Sequence, residues 1–287
     1  MTDSVASSLS VAQLLRGYSV EVNPKESKVI DVCGARLDPG TEVFLTWIPG
    51  EDPMQIVPAA AKLKREGLNP VPHVGARHVQ SATQLEEFAA RLTGEAGVDR
   101  VLIIGGDREQ PAGPYDSSLQ VMESGLLQKS GIRRIAVGAF PEGNPNIPDG
   151  VLREALNAKV KFGRSTGLDL SIVTQFCFAA EPIVDWLKHI RAIGIDVPVR
   201  LGLAGPASIV TLTRYAIKCG VGNSLRVLTE KPTFARLLTD KGPEPLIRGI
   251  ASGIDGNAAA LGIAGLHFFV FGGFNKTVDW INATRTQ

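Results

Sequence analysis

The sequence is poor in the residues that staple small folds or hold metals. Its three cysteines, Cys33, Cys177 and Cys219, are an odd number and include no C-x-x-C pair. Neither a disulfide framework nor a zinc site is therefore indicated, and the thiols read as the reduced cysteines of a cytoplasmic protein. No apolar run approaches the roughly 18 residues a spanning helix needs. The N-terminal stretch "MTDSVASSLSVAQLLRGY" lacks the basic segment and apolar block of an export signal. An excess of one charge is missing too: thirty basic residues face twenty-nine acidic ones. That balance gives no footprint for nucleic acid or an anionic membrane. There is no G-x-G-x-x-G fingerprint, no phosphate-loop lysine, no repeat and no low-complexity linker. Residues 1–287 are therefore expected to form a single domain.

What is present is an alternation. The 287 residues are 44% hydrophobic and 21% charged, ample for a core. Short β-rich runs recur at 18–22, 42–48, 70–74, 100–106, 134–140, 170–176, 197–204 and 266–273. Most are continuously apolar, as strands buried on both faces are. Between them lie helical patterns. "SATQLEEFAARLTGEAG" opens on the capping residue Ser81 and closes on Gly97, and "PIVDWLKHIRAIG" sets Ile183, Trp186, Leu187 and Ile190 on one stripe. Alternating strand and helix predicts a parallel sheet, and eight strands close most economically as a (β/α)₈ TIM barrel. A doubly wound open sheet is the alternative. The segments "NSLRVLTEKPTFARLL" and "EPLIRGIASGIDGNAAALG" predict extra helices before the last strand.

In a barrel the chemistry gathers where strands end. Those ends offer Glu21, Thr46, His73, Asp107, Phe140, Glu142, Asn144 and Gln175. Glu21 sits inside an apolar strand, where an unpartnered carboxylate is costly, so it reads as functional. His73 is balanced between a ligand and a structural histidine. His78, His189 and His267 read as structural or exposed. Cys177 and the phenylalanines at 176, 178, 268, 269 and 271 read as packing. In "VLIIGGD" the pair Gly105 and Gly106 leaves bare backbone beside Asp107, which would let a planar ligand come close. Gln175, ahead of "FCF", suits bidentate contact with a flat heterocycle. His73, Glu21 and Asp107 lack paired ligand spacing, so no metal is expected.

Taken in order, "YSVEVNP", "PHV", "IIGGD…GPY", "AFPEGNP", "VTQFCF", "GID" and "FNK" resemble the methylenetetrahydrofolate reductase family over nearly the whole chain. The resemblance implies a barrel that passes hydride from NADH or NADPH through FAD to 5,10-methylenetetrahydrofolate, yielding 5-methyltetrahydrofolate in one-carbon metabolism. By the same resemblance Glu21 is the general acid that opens the folate's five-membered ring. Asp107 contacts the pterin, stabilises the iminium cation and tunes the flavin. Gln175 hydrogen-bonds the pterin, and Lys276 of "FNK" belongs to the substrate site. Thr46, His73, Gly106, Tyr115, Phe140 and Asn144 fall where the family lines its flavin pocket, and Asn157 and Arg164 where it meets the FAD phosphates and ribose.

The departures are specific. The family commonly has "EFFPP" where this chain has "EVNPK". Asn144 replaces a histidine, Phe140 a tyrosine, and Gly105 or Gly106 an arginine. The spacing from the lysines of "KVKFGRSTGLDLSIVTQF" to Gln175 is longer than usual, which lets the register at Asn157 and Arg164 slip. These changes fall on flavin positions more than folate positions, so altered FAD binding or direct transfer from NADH stays open. The direction of flux, the nicotinamide used and self-association into a homo-oligomer stay open as well. Other readings of the same barrel are a folate-dependent methyltransferase and a non-catalytic folate-binding protein. Retention of Glu21 disfavours the last, since simple pterin binding needs no proton donor.

Overall fold

A computed structural model describes residues 10–219, 221, 242–254 and 257–286. Eight strands lie among them: β1 Ser19–Val22, β2 Glu42–Leu45, β3 Asn69–Gly75, β4 Arg100–Ile104, β5 Arg134–Ala139, β6 Asp169–Thr174, β7 Val199–Ala204 and β8 Ile263–Phe269. They follow one another in sheet order and close a barrel. The expected (β/α)₈ architecture is borne out, and the open-sheet alternative is excluded by that closure. The helix Glu244–Gly253 precedes β8 as anticipated. The helix expected over 223–238 lies outside the described residues, as does Asp255 of "GID".

The chain forms two compact units. One comprises Met1–Tyr18, Ala139–Leu152 and Thr174–Gln287; the other comprises Ser19–Gly138 and Arg153–Val173. Local chemistry explains the elements in each. In the second unit, helix Ala82–Ala96 begins where the Ser81 hydroxyl accepts from Gln84 N at 3.1 Å, and stops at Gly97 with φ 59°. In the first, β8 ends four residues sooner than its apolar run, because Phe271 (φ 47°) and Gly272 (φ 78°) turn the backbone left-handed.

Register decides which side chains face the barrel interior. Phe44, Val71, Leu102, Ala136 and Val173 come from five successive strands and form one buried cluster. Glu21 pairs with Phe44, and Phe44 with Val71; His73 pairs with Leu102, and Leu102 with Ala136. Partners on neighbouring parallel strands point to the same face, so Glu21 and His73 share the interior face with that cluster.

The first residues of four strands carry an ion-pair network. Glu42 meets Arg100, whose guanidinium also lies 3.6 Å from Asp169 Oδ2. Arg134 reaches Asp99 Oδ2 at 3.2 Å and Asp169 Oδ2 at 3.3 Å. Asp99 and Asp169 hold the Arg134 guanidinium above its usual pKa, outweighing the downward pull of its partial burial. Stabilising contacts at strand starts with ligand sites at strand ends are the usual division of labour in such barrels. Arg100→Met removes the guanidinium partner of Glu42, whose carboxylate is nearly buried. It should cost about 3 kcal/mol in equilibrium urea unfolding; a variant as stable as the parent would show the network to be idle.

Candidate functional site

In the unit built on β1 to β5, two carboxylates each meet an imidazole. Glu21, on β1, has a side chain 18% exposed, and its Oε2 lies 3.4 Å from Nε2 of His73 on β3, which is 7% exposed. The Phe44 ring meets the His73 ring edge-on with centroids 6.2 Å apart. A carboxylate in an apolar interior is tolerable only with such company. The sequence reading set His73 against the flavin; the structure sets it against Glu21.

Asp107 follows β4 and is 62% exposed, yet its Oδ1 lies 2.9 Å from Nε2 of His78, a ring only 5% exposed. This contact revises the reading of the glycine pair. Gly106 has φ 92°, and a Cβ there would stand 3.0 Å from Cδ2 and Nε2 of His78. The ring that crowds Gly106 is thus one of the chain's own. Gly105, by contrast, faces open space. His78, read from sequence as structural or exposed, is buried, and its contact with Asp107 was not foreseen from the sequence.

Other expected flavin neighbours in this unit are already engaged. The Thr46 hydroxyl donates to Val22 O at 3.4 Å, and Tyr115 is buried. Asn157 and Arg164 lie on helix Asp149–Thr166. Arg164 is exposed in its last turn, and only Gly167 and Leu168 separate the helix from β6. Arg164 therefore sits near the start of β6. Asn157 is half-buried in the middle of the helix.

In the unit carrying β7 and β8, Gln175 directly follows β6. Its backbone N–H donates to Ala139 O at 2.8 Å, while the preceding Thr174 hydroxyl accepts from Gly202 N at 2.8 Å. Gly202 is required there, because an added Cβ would fall 2.2 Å from Thr174 O. The Gln175 carboxamide oxygen accepts from Phe176 N at 3.0 Å. Its NH₂ has no such bond among the described residues and is turned to other acceptors. Phe140 is half-buried, the Asn144 carboxamide oxygen accepts from Asn146 N at 2.9 Å, and Lys276 is exposed in the first turn of helix Phe274–Arg285.

Cys177 is buried, in line with its reading as a packing group, and so is Cys33. Burial, with the nearby Glu66 adding to it, pushes Cys33 up to about 12. Burial and then Glu142, which accepts the thiol's hydrogen bond, raise Cys177 well above the thiol range. Neither is a thiolate at neutral pH. Among the described residues no group of three or more His, Cys, Asp or Glu could hold a metal ion, and no helix is long and apolar enough to cross a membrane.

Comparison with known proteins places these residues in context. No family model matches the chain. A curated relative, the 5,10-methylenetetrahydrofolate reductase of Pectobacterium carotovorum subsp. carotovorum, is 28% identical over 158 residues, 55% of this chain. The chain spans about half that protein's length, 51%. The family resemblance seen in the motifs is thus shared with a curated reductase. A solved structure of an uncharacterized Clostridium thermocellum protein, described as binding two copies of 5-methyl-5,6,7,8-tetrahydrofolic acid, matches with a TM-score of 0.58 and 13% identity. That match covers 94% of this chain and 93% of the other, and shows the fold. A dihydropteroate synthase from Thermus thermophilus matches with a TM-score of 0.47 and 14% identity, covering 93% of this chain and 92% of its own.

One buried group has a measurable consequence. Lys159, on the buried stripe of helix Asp149–Thr166, is held down to about 8 by desolvation. Below that pH the folded chain carries a desolvated ammonium that the unfolded chain keeps in water. Lys159→Met should therefore stabilise the protein at pH 7, on the order of 2–3 kcal/mol. The advantage should shrink between pH 8 and about 10.4, where the folded parent has lost its proton and the unfolded chain has not. A variant less stable than the parent at pH 7 contradicts this.

Proposed function

We propose that the protein is a cytoplasmic folate oxidoreductase interconverting 5,10-methylenetetrahydrofolate and 5-methyltetrahydrofolate, with NADH or NADPH as the source of hydride. The observation that carries this reading is Glu21, an interior carboxylate on β1 with His73 Nε2 at 3.4 Å. Simple pterin binding has no use for a carboxylate kept largely from water; a proton donor does. The curated reductase and the Clostridium thermocellum protein described as binding a folate support the same reading.

In this reaction the proton from Glu21 goes to N10 of the substrate as the bond from N10 to the methylene carbon breaks. The electron pair of that bond stays on N10, and an iminium cation forms at N5. Hydride then adds to the methylene carbon to give the N5-methyl group, and the nicotinamide is oxidised. His73 holds the Glu21 carboxyl in place and can return its proton. Asp107, 62% exposed and negatively charged, stabilises the cation and accepts from the pterin. The Gln175 NH₂ donates to a pterin acceptor. Lys276, exposed after β8, offers its charge to the glutamate tail.

FAD, when bound, would relay two electrons from nicotinamide to folate. The residues set against it do not fit it as a set. Gly106 is packed by His78, Arg164 lies at the start of β6, and the Asn144 oxygen is engaged within its own turn. No step is therefore drawn through the flavin. Titration of the purified protein with FAD, followed near 450 nm, tests its role: a saturable bound spectrum would restore the relay.

Glu21→Gln keeps the shape of the group and removes its proton. Turnover should fall roughly 100- to 10,000-fold, while the dissociation constant for 5-methyltetrahydrofolate stays within about threefold of the parent. Unchanged turnover in that variant would sink the general-acid role.

A further inference from the structure

The contact between Asp107 and His78 is built more firmly than its exposure suggests. His78 closes the short turn Ala76–His78 that follows β3. Its ring lies between two glycines. A Cβ at Gly75 would fall 3.1 Å from Nδ1, and one at Gly106 would fall 3.0 Å from Nε2. Trp47 meets the ring edge-on, centroids 6.0 Å apart and planes at 82°. Nδ1 is buried and makes no hydrogen bond, whereas Nε2 faces Asp107 Oδ1 at 2.9 Å. With Nδ1 lacking a partner, Nε2 is the nitrogen that donates a proton to the carboxylate.

The backbone around the pair is tied down as well. Arg77 N donates to Gly105 O at 2.9 Å, and Ala112 N donates to Arg77 O at 2.9 Å. The Arg77 side chain reaches Asp116 through Nε to its carbonyl and Nη2 to its carboxylate, both at 2.9 Å, and its Nη1 donates to Arg108 O at 3.2 Å. The turn after β3 and the loop after β4 are thus fastened on both sides of the ring. An exposed aspartate ordinarily samples several rotamers. Here one oxygen is pinned to a buried donor, and the other is left to face solvent.

We propose that His78 is a positioning residue for folate recognition: it fixes Asp107 in one rotamer so that the outer carboxylate oxygen is already aimed at an N–H donor of the pterin ring. This rests on the reading above in which Asp107 contacts the pterin. Binding then spends little on ordering that side chain. It also confines the anion to the place where the iminium charge develops. Gly106 of "IIGGD" follows from the same arrangement, since it must yield its side-chain volume to the imidazole.

The test is a double-mutant cycle on equilibrium binding of 5-methyltetrahydrofolate, with folding checked by thermal unfolding. It uses the parent, His78→Leu, His78→Gln, Asp107→Ala and the His78→Leu/Asp107→Ala pair. His78→Leu should weaken binding about tenfold. His78→Gln, whose amide nitrogen can stand where Nε2 stands, should recover most of that loss. The double variant should bind no more weakly than Asp107→Ala alone, because without the carboxylate there is nothing left to aim. Full-strength binding by His78→Leu overturns the proposal, and so do losses that multiply in the double variant. A parent that does not bind the folate defeats the functional reading itself, a different result from binding that is indifferent to His78. Should His78→Leu fail to fold, nitrogen-15 NMR of the parent decides. A ring protonated on Nε2 agrees with the assignment, and one protonated only on Nδ1 overturns it.

Discussion

A carboxylate placed where water is scarce must be met by a donor or a cation, and the candidate site is organised by that requirement. Glu21 stands on the interior face of the barrel beside His73, and Asp107 leans on the buried ring of His78. Both imidazoles come from β3 and the turn that follows it. One segment thus serves two acids in unlike surroundings: Glu21 is screened from solvent and Asp107 is exposed. In the proposed reaction the first gives the proton and the second faces the cation. Two carboxyl groups in unlike surroundings are how a single site divides acid from anion.

The opposite requirement shapes the starts of the strands. There Glu42, Arg100, Asp99, Arg134 and Asp169 neutralise one another. Every charge in that network is spent on another charge, so nothing is held out to a ligand. At the strand ends the groups are half-committed: Asp107 has one oxygen engaged and Gln175 has its carbonyl engaged. Half-committed polar groups are oriented by the protein and still able to bind, which is what recognition of a flat, donor-rich ring demands.

Much of this was legible in the sequence because it is local. Apolar runs bounded by capping residues and glycines located the strands and helices, and a glutamate inside such a run marked Glu21. Asp107 was visible because two glycines precede it. What escaped is long-range. His78 lies 29 residues from Asp107 in the chain, and nothing in the "GARH" stretch announces the partner. That Gly106 is packed by His78 escaped for the same reason: bare backbone looks alike whether the ring beside it is a ligand's or the chain's own. Motif spacing likewise does not say at which end of a helix Arg164 sits. The end of β8 was overrun because Phe271 takes a left-handed backbone that phenylalanine seldom adopts.

The central claim is that the methyl group of 5-methyltetrahydrofolate is completed by hydride from a nicotinamide on this barrel. The measurement that tests it most directly is single-turnover conversion of 5,10-methylenetetrahydrofolate with nicotinamide deuterated at the transferring position, read by mass spectrometry of the folate. The account predicts one deuterium in the methyl group when transfer is direct. Methyl product that carries no deuterium and forms equally well without nicotinamide would contradict it, as would binding of both partners with no product at all.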